Sequence, residues 1–185
     1  QIFATDPFKD PKELLEYINA NLIRISAIIP TRNIIHPDLS FQETFRLKVW
    51  SIFGNYPELL QTLHWLVFQD RSSVTITCPQ CEKRTQIYSK SNVTTCIECN
   101  KTVYLSDFLS LHSDLSESAA RETAISALMN NVEVLSLFSK VRQLWKSDKQ
   151  LLAKYLFIKD GPLFFQAPFN KLVIPIRKFL AKAIE

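Results

Sequence analysis

The sequence predicts a mixed α/β fold in which a small cysteine-bearing module is inserted between helical segments. Three observations predict this fold. Apolar residues recur at helical spacing before residue 72 and after residue 106, and two C-x-x-C pairs lie in a Thr- and Val-rich stretch between them. A continuous apolar run of strand length, residues 155–158, follows. Apolar residues make up 46% of the 185 residues, which is enough for a sizeable core and excludes a disordered tail.

The first unit, residues 1–72, is predicted to be helical. Asp10 precedes a Pro and an acidic residue in the first turn of one helix, as an N-cap does. Ser40 and Glu43 have the spacing of a capping box and predict the start of a second helix. Pro57 then opens a third helix, because proline is favoured in the first helical turn.

The second unit, residues 73–105, is predicted to hold short strands at 74–77, 85–88 and 102–105. The third unit, residues 106–185, begins with a long helix that continues to about Trp145. The apolar run at 155–158 is predicted to be a fully buried strand of a mixed or parallel sheet. A last helix is predicted to start near Pro175. The apolar face of that helix is formed by Ile176, Phe179, Leu180 and Ala183.

The two C-x-x-C pairs predict a structural zinc site. Cys78 and Cys81 form the first pair, Cys96 and Cys99 the second, and 14 residues separate Cys81 from Cys96. Each C-x-x-C turn directs two thiolates at one metal, and two such turns complete a tetrahedron. The gap is slightly shorter than the roughly 15–20 residues usual for such pairs, but it accommodates two short strands and a turn. Redox or disulfide pairs and an empty remnant are the alternatives.

Cysteine usage, charge and hydropathy together bound the setting of the protein. Four cysteines in C-x-x-C pairs, with no export signal, favour a reducing, cytoplasmic compartment and metal binding over disulfides. No apolar stretch reaches the ~18 residues of a membrane span. The net charge of +4 is compatible with a polyanionic partner but does not require one. Four basic residues surround the cysteine pairs and are interpreted as phosphate contacts or as plain solvated charges: Lys83, Arg84, Lys90 and Lys101.

Two carboxylates are candidate ligands for a second metal. Asp160 follows the apolar strand, where ligands of α/β folds gather, and its oxygens suit Mg²⁺ or Mn²⁺. A plain Asp-Gly-Pro turn is the alternative. Glu133 lies in a largely apolar helix segment, so it is either bound to something or at the solvated edge of the helix. The three histidines lack ligand spacing, and His64, beside Trp65 on a helix, is predicted to be a core or interface residue.

The string Leu156-Phe157-Ile158-Lys159-Asp160-Gly161-Pro162-Leu163 resembles the strand and DGPL motif of NurA nucleases. The order of the segments resembles NurA-like proteins over roughly residues 74–180. A four-cysteine ribbon comes first, then a segment like 104–112, a long helix with a Glu, the DGPL motif and a Pro-led helix. The motif after an apolar strand, a Glu-bearing helix and a ribbon is more specific than DGPL alone.

The resemblance implies a ribonuclease-H-like core with acidic residues around Mn²⁺ or Mg²⁺. It implies a DNA nuclease, typically a 5′–3′ exonuclease with single-strand endonuclease activity. NurA proteins work as homodimers docked on HerA, a hexameric ATPase that translocates duplex DNA, in end resection during repair or in anti-phage defence. By match, Asp160 is the metal-binding aspartate of the motif and Glu133 is the helix-borne carboxylate.

One departure from the family pattern affects the active site. The family opens with an Asp-Gly-Ser-type strand whose Asp is another metal ligand, and it closes with a Tyr/His-bearing segment. Here Asp160-Gly161 is the only Asp-Gly, and the first residue is Gln1. The sequence is therefore expected to be an internal fragment, or else a degenerate relative without activity. In both cases the chain is expected to lack part of the active site.

The predicted mechanism is phosphodiester hydrolysis by two divalent ions about 3.5–4 Å apart, bridged by carboxylates. Four cations are predicted to steer DNA toward the site: Arg142, Lys146, Lys149 and Lys154. The alternative is a non-catalytic adaptor, in which the zinc ribbon and the aromatic N-terminal helices dock DNA or a partner ATPase. The aromatic residues concerned are Phe41, Phe45, Trp50 and Trp65. A thiol redox protein is a weaker alternative, because the cysteine pairs lack a thioredoxin-like βαβ setting.

Overall fold

In the computed structural model, the described residues are 2–3, 10–20, 38–113, 121–157 and 171–184. These segments form helices and three two-stranded antiparallel sheets, which confirms a mixed helix and strand architecture. The helices are α1 (Pro11–Ala20), α2 (Phe41–Asn55), α3 (Pro57–Phe68), α4 (Arg121–Ser147) and α5 (Val173–Ile184). The strands are β1 (Ile2–Phe3), β2 (Ser73–Thr77), β3 (Arg84–Tyr88), β4 (Val93–Thr95), β5 (Thr102–Tyr104) and β6 (Leu156–Phe157). Short 3-10 helices span Leu105–Leu109 and Lys149–Lys154.

The predicted helix starts in the N-terminal unit are confirmed. The Glu13 amide donates to Asp10 Oδ1 at 2.8 Å, so Asp10 caps α1. At α2 the capping box is complete, because the Glu43 amide donates to Ser40 Oγ at 3.2 Å and the Ser40 amide donates to Glu43 Oε2 at 3.3 Å. Pro57 is the first residue of α3. A proline there cannot continue α2, so the chain turns into a new helix.

The cysteine-bearing segment forms two hairpin-like pairs, β2 with β3 and β4 with β5. The three predicted strands form within about one residue of their expected bounds, but β4 was not predicted. Its burial pattern, with one half-buried residue between two exposed ones, lacks the apolar alternation that marks a half-buried strand. Its pairing with β5, where Val93 lies opposite Tyr104, therefore depends on the fold around it.

The apolar run at 155–158 forms a two-residue strand, β6, which pairs antiparallel with β1. Leu156 is 67% exposed, so the prediction of a fully buried strand in a mixed or parallel sheet is wrong. A parallel strand is buried by helices on both faces of its sheet, whereas β6 has one described partner strand and an open face. Because β1 and β6 are the only strands described outside residues 73–105, a ribonuclease-H-like core stays a prediction.

Helix α5 begins at Val173, two residues before the predicted start. Its buried face includes Ile176 and Phe179, as predicted, but Leu180 is 47% exposed. The helix is rotated by its contacts with α3 and α4. Rings of Trp65 and Trp145 pack edge-on against Phe179 at centroid distances of 4.7 and 5.1 Å. The predicted apolar face is therefore correct at two of its four positions, since Ala183 is also exposed.

One continuous apolar core joins these segments, with α3 at its centre. Leu63, Leu66 and Val67 of α3 are fully buried, and the helix contacts α2, α4, α5 and β2. The cysteine-bearing segment contributes Ile76, Ile87 and Val103 to the same core, and no helix in the described segments has the length and apolarity needed to cross a bilayer. The aromatic residues proposed for partner docking are largely used here. Phe45 is 1% exposed, Trp50 stacks on Tyr104, and Trp65 packs on Phe179.

A buried ion pair docks the cysteine-bearing segment on α2. Arg46 Nε and Nη2 donate to the two carboxylate oxygens of Asp107 at 2.7 and 2.9 Å. Arg46 Nη2 also donates to the Thr102 carbonyl at 2.7 Å, and the Tyr104 amide donates to Asp107 Oδ2 at 2.8 Å. Both charges are removed from water, but the fork geometry and the additional hydrogen bonds satisfy them.

A second arginine joins α3 to α4, which corrects one prediction. Arg142 is 6% exposed, and its Nη2 donates to Glu58 Oε2 at 2.6 Å while Nη1 donates to Gln61 Oε1 at 3.0 Å. A guanidinium buried in a helix interface cannot steer DNA at the surface. The other three predicted cations, Lys146, Lys149 and Lys154, are exposed.

Candidate metal centre

The first cysteine turn is built by backbone hydrogen bonds. The Cys78 amide donates to the Lys83 carbonyl at 2.8 Å, and the Glu82 amide donates to the Cys78 carbonyl at 3.0 Å. Glu82 has a φ of 58°, in the left-handed region that most side chains disfavour. This residue reverses the chain and lets β3 return beside β2.

The second cysteine turn repeats the first with nearly the same geometry. The Cys96 amide donates to the Lys101 carbonyl at 2.9 Å, and the Asn100 amide donates to the Cys96 carbonyl at 2.9 Å. Asn100 has a φ of 59°, and asparagine tolerates this conformation better than most residues. Two turns of the same form therefore face each other, each at the end of a hairpin-like strand pair. We call residues 73–105 the ribbon.

The four sulfur atoms converge. Their Sγ atoms all lie within 4.8 Å of one another. Cys78 Sγ lies 3.6 Å from Cys99 Sγ, and Cys81 Sγ lies 3.6 Å from Cys96 Sγ. In a tetrahedral ZnS₄ centre with Zn–S bonds of about 2.3 Å, neighbouring sulfurs lie about 3.8 Å apart. Each 3.6 Å contact joins one turn to the other, which favours one shared ion over two separate redox pairs.

The Cys96 thiol is surrounded by hydrogen-bond donors. Its side chain is fully buried, which alone would favour the neutral thiol. The Thr85 hydroxyl, followed by the backbone amides of Cys99 and Glu98, favours the thiolate more strongly and lowers the pKa of Cys96 to about 6. At neutral pH this sulfur is therefore already an anionic metal ligand.

The opposite holds for two other cysteines. The Lys83 backbone amide favours the thiolate of Cys81, but burial and the neighbouring sulfurs outweigh it and raise the Cys81 pKa to about 12. The Lys101 backbone amide acts in the same way on Cys99, whose pKa is nevertheless raised by burial and by the sulfurs around it. Several thiolates cannot share so small a volume unless a cation balances their charge.

These residues fit a structural metal such as zinc. Cys78 and Cys96 are buried, Cys81 and Cys99 are half-buried, and all four ligand positions come from the protein. A closed four-thiolate site leaves no position for substrate, so it holds shape and performs no chemistry. Among the described residues, this is the only group of three or more Cys, His, Asp or Glu side chains close enough to share an ion. The basic residues around the turns are all exposed.

The predicted carboxylate site is covered only in part. Asp160 lies outside the described residues, so its predicted metal role stays a prediction. Glu133 lies on α4 with an exposed side chain, between half-buried Val132 and buried Val134. This position is the solvated edge of the helix, the second of the two interpretations. The structure therefore does not bring Glu133 into a cluster of metal-ligating side chains within the described segments.

His64 is an interface residue, as predicted. Its Nε2 lies 2.8 Å from the Ser89 carbonyl, and its ring packs 4.4 Å from that of Phe68. It links α3 to the loop between β3 and β4. His112 is buried, and its carbonyl accepts a hydrogen bond from Gln42 Nε2 at 2.8 Å. Both histidines therefore hold segments together.

Sequence reasoning missed three residues around the centre. Thr85 lies at an inward position of β3, next to a metal-ligating cysteine. Arg46 and Asp107 form the buried pair that fixes the ribbon on α2. One signal pointed to Arg46, because it interrupts the apolar face between Phe45 and Val49, and a charge there requires a partner.

No family model, curated protein or solved structure matches this chain. The resemblance to NurA nucleases therefore stays a prediction that rests on the motifs themselves.

Proposed function

We propose that this chain is part of a metal-dependent DNA nuclease that resembles NurA, with a structural zinc ion in the ribbon. The observation that carries the proposal is the position of β6. This strand ends at Phe157, three residues before Asp160, so the motif resembling DGPL follows a strand. The four-cysteine cluster and the Glu-bearing helix α4 precede it in the order that the family pattern requires.

The proposed catalytic ions are Mn²⁺ or Mg²⁺, held at a ribonuclease-H-like core. Asp160 would anchor them with its carboxylate, and Glu133 would complete the ligand set or orient the attacking water. Hard divalent cations prefer such oxygen ligands, and two of them stabilise both the attacking and the leaving oxygen. Since Glu133 is exposed on α4, its participation requires that the Asp160 segment approach that face of the helix.

DNA as the substrate class is supported by the charge of the C-terminal segment. Residues 171–184 contain four basic residues and no acidic one. Arg177, Lys178 and Lys182 share one exposed face of α5, although Lys182 also forms an ion pair with Asp70. Lys149 extends this charge, because its ammonium lies 4.2 Å from the ring centroid of Trp145, which itself packs on Phe179 of α5. A stripe of cations of this kind suits a phosphate backbone.

The proposed partners follow from the same resemblance. The nuclease would act as a homodimer on a HerA-type hexameric ATPase in the cytoplasm, in DNA end processing or anti-phage defence. Light scattering on the protein alone, and co-purification with a HerA-type ATPase, test the dimer and the partner separately.

The proposal is tested by replacing Asp160 with Asn in the full-length protein. Loss of a carboxylate that holds the catalytic ions removes several kcal/mol of transition-state stabilisation, so Mn²⁺-dependent cleavage of single-stranded DNA should fall by about a hundredfold or more. Asp148→Asn is the matched control, because Asp148 caps a 3-10 helix and asparagine caps equally well. Full cleavage by Asp160→Asn would end the assignment.

A zinc-stabilised adaptor without catalysis is the second candidate. One observation favours it, since the cysteines form the only metal-ligating cluster within the described segments. Calorimetry with Mn²⁺ on the zinc-loaded full-length protein separates the two candidates. Binding of Mn²⁺ that is lost in Asp160→Asn supports the nuclease, whereas no binding beyond the zinc supports the adaptor.

A further inference from the structure

The Thr85 hydroxyl is a buried polar group without a satisfied hydrogen bond. Thr85 is 4% exposed, and it points inward from β3 opposite Ile76 of β2, which offers no side-chain acceptor. Its Oγ1 atom is buried and has no partner at full hydrogen-bond geometry within the described residues. Leaving such a hydroxyl unpaired costs roughly 1–3 kcal/mol, so its presence requires an explanation.

The group beside this hydroxyl is the Cys96 sulfur. Of all groups around Cys96, Thr85 is the one that most favours its thiolate, ahead of the backbone amides of Cys99 and Glu98. The two observations agree if the hydroxyl lies against the sulfur without being fully aligned with it. A threonine hydroxyl proton turns freely about its C–O bond, so it can turn to an acceptor that gains negative charge.

We propose that Thr85 is a positioning residue of the metal centre, whose hydroxyl donates an O–H···S hydrogen bond to the Cys96 thiolate when a cation occupies the four-cysteine site. This inference rests on the metal site of the proposed function but not on nuclease activity. The bond satisfies the buried hydroxyl and fixes the orientation of one ligand. It also lowers the electron density that Cys96 presents to the metal. Outer-shell partners of this kind commonly change metal affinity by about ten- to a hundredfold.

The competing explanation is that Thr85 is a plain core residue whose hydroxyl is unpaired. The two explanations predict opposite signs for Thr85→Val, which removes the hydroxyl and keeps the shape of the side chain. If the hydroxyl is an unpaired polar atom, its removal is neutral or stabilising. If it donates to the thiolate, its removal weakens metal binding. Thr85→Ser keeps the hydroxyl and should restore the wild-type behaviour.

The test measures metal binding in the full-length protein with two probes. Zinc affinity is measured by competition with a chelator, and Co²⁺ is used for its visible and near-ultraviolet spectrum. In Thr85→Val we expect zinc affinity to fall about ten- to a hundredfold. We also expect the sulfur-to-cobalt charge-transfer band to move to lower energy, because a hydrogen bond stabilises the sulfur lone pair. Thr85→Ser should lie close to wild type in both measurements.

Thr75→Val is the matched control, since Thr75 is exposed on the outer face of β2 in the same hairpin. Its zinc affinity and cobalt spectrum should be those of wild type. Equal affinity and an unmoved band in Thr85→Val would overturn the inference while leaving the metal site intact. A wild-type protein that binds neither Zn²⁺ nor Co²⁺ would instead overturn the metal site itself, and the inference with it. Should Thr85→Val fold poorly, the band position in its cobalt-loaded fraction still decides.

Discussion

Two arginine–carboxylate pairs hold this molecule together, and they differ in how far water reaches them. Arg46–Asp107 fixes the ribbon on α2, and its side chains are 8% and 2% exposed. Arg142–Glu58 joins α3 to α4, and its side chains are 8% and 57% exposed. Each arginine is buried to the same extent, so the difference lies in the carboxylate.

The difference shows what each pair contributes. Asp107 accepts from both Arg46 and the Tyr104 amide, so the fully buried pair admits only one arrangement of ribbon and helix. Glu58 is half in water and accepts from Arg142 at the rim of an apolar helix interface. A buried pair adds little net stability over apolar residues but is expensive to break, whereas a wet pair is cheap in both respects. The ribbon is therefore specified by ion pair and metal, and the helix pair by apolar packing.

The largest predicted difference between the two regions is their dependence on metal. Structural zinc sites contribute on the order of 10 kcal/mol of binding free energy to small modules. Cys96→Ser, or chelation of the wild type, should therefore abolish hydrogen-exchange protection in residues 73–105 and leave α3 and α4 largely protected. Glu98→Gln, in the same turn, is the control. Protection of the ribbon that survives chelation would contradict a structural metal.

The next prediction compares the two pairs directly. Asp107→Asn leaves the Arg46 charge buried without a counter-charge and should lower the free energy of unfolding by about 3 kcal/mol. Glu58→Gln should cost about 1 kcal/mol, because water and Gln61 still reach Arg142. Urea unfolding of both variants in the presence of zinc measures these values. Equal losses would mean that burial of the carboxylate does not set the strength of these contacts.

The smallest effect concerns protons and separates the ribbon from the rest of the chain. At pH 7 Cys81, with a pKa of about 12, and Cys99, with its pKa raised, carry protons that zinc must displace. Zinc binding should therefore release at least about two protons, and zinc affinity should fall as pH falls. Below pH 6 the dependence should steepen, because Cys96, with a pKa of about 6, is then protonated too. Calorimetry in buffers of different ionisation enthalpy counts the protons. Glu58→Gln should release the same number, and release of fewer than two would contradict the protonation states assigned here.

How much the sequence revealed depended on the distance between interacting residues along the chain. The N-caps at Asp10 and Ser40 and the helix start at Pro57 were predicted correctly, because each depends on residues within one helical turn. The cysteine cluster was also predictable, since a C-x-x-C turn aims its sulfurs by local backbone geometry alone. Strand β4 was not, because it contains three residues and lacks apolar alternation.

Contacts between distant residues had no such signal. Arg46 and Asp107 are separated by 61 positions, and the sequence marks each only as a charge. Arg142 was predicted to face DNA, but the approach of α4 to α3 buried it. Leu156 reads as part of a buried strand, but burial requires neighbouring strands and helices that an apolar run cannot specify.

The sequence by itself therefore determined the helix starts, the two cysteine turns and the residue types that suit a metal. The tertiary structure alone decided that four sulfurs meet, that Thr85 lies against one of them, and that one arginine docks the ribbon while another joins two helices. The physical reason is range. Backbone hydrogen bonds and caps act over a few residues, whereas desolvation and charge pairing depend on which distant surfaces come together.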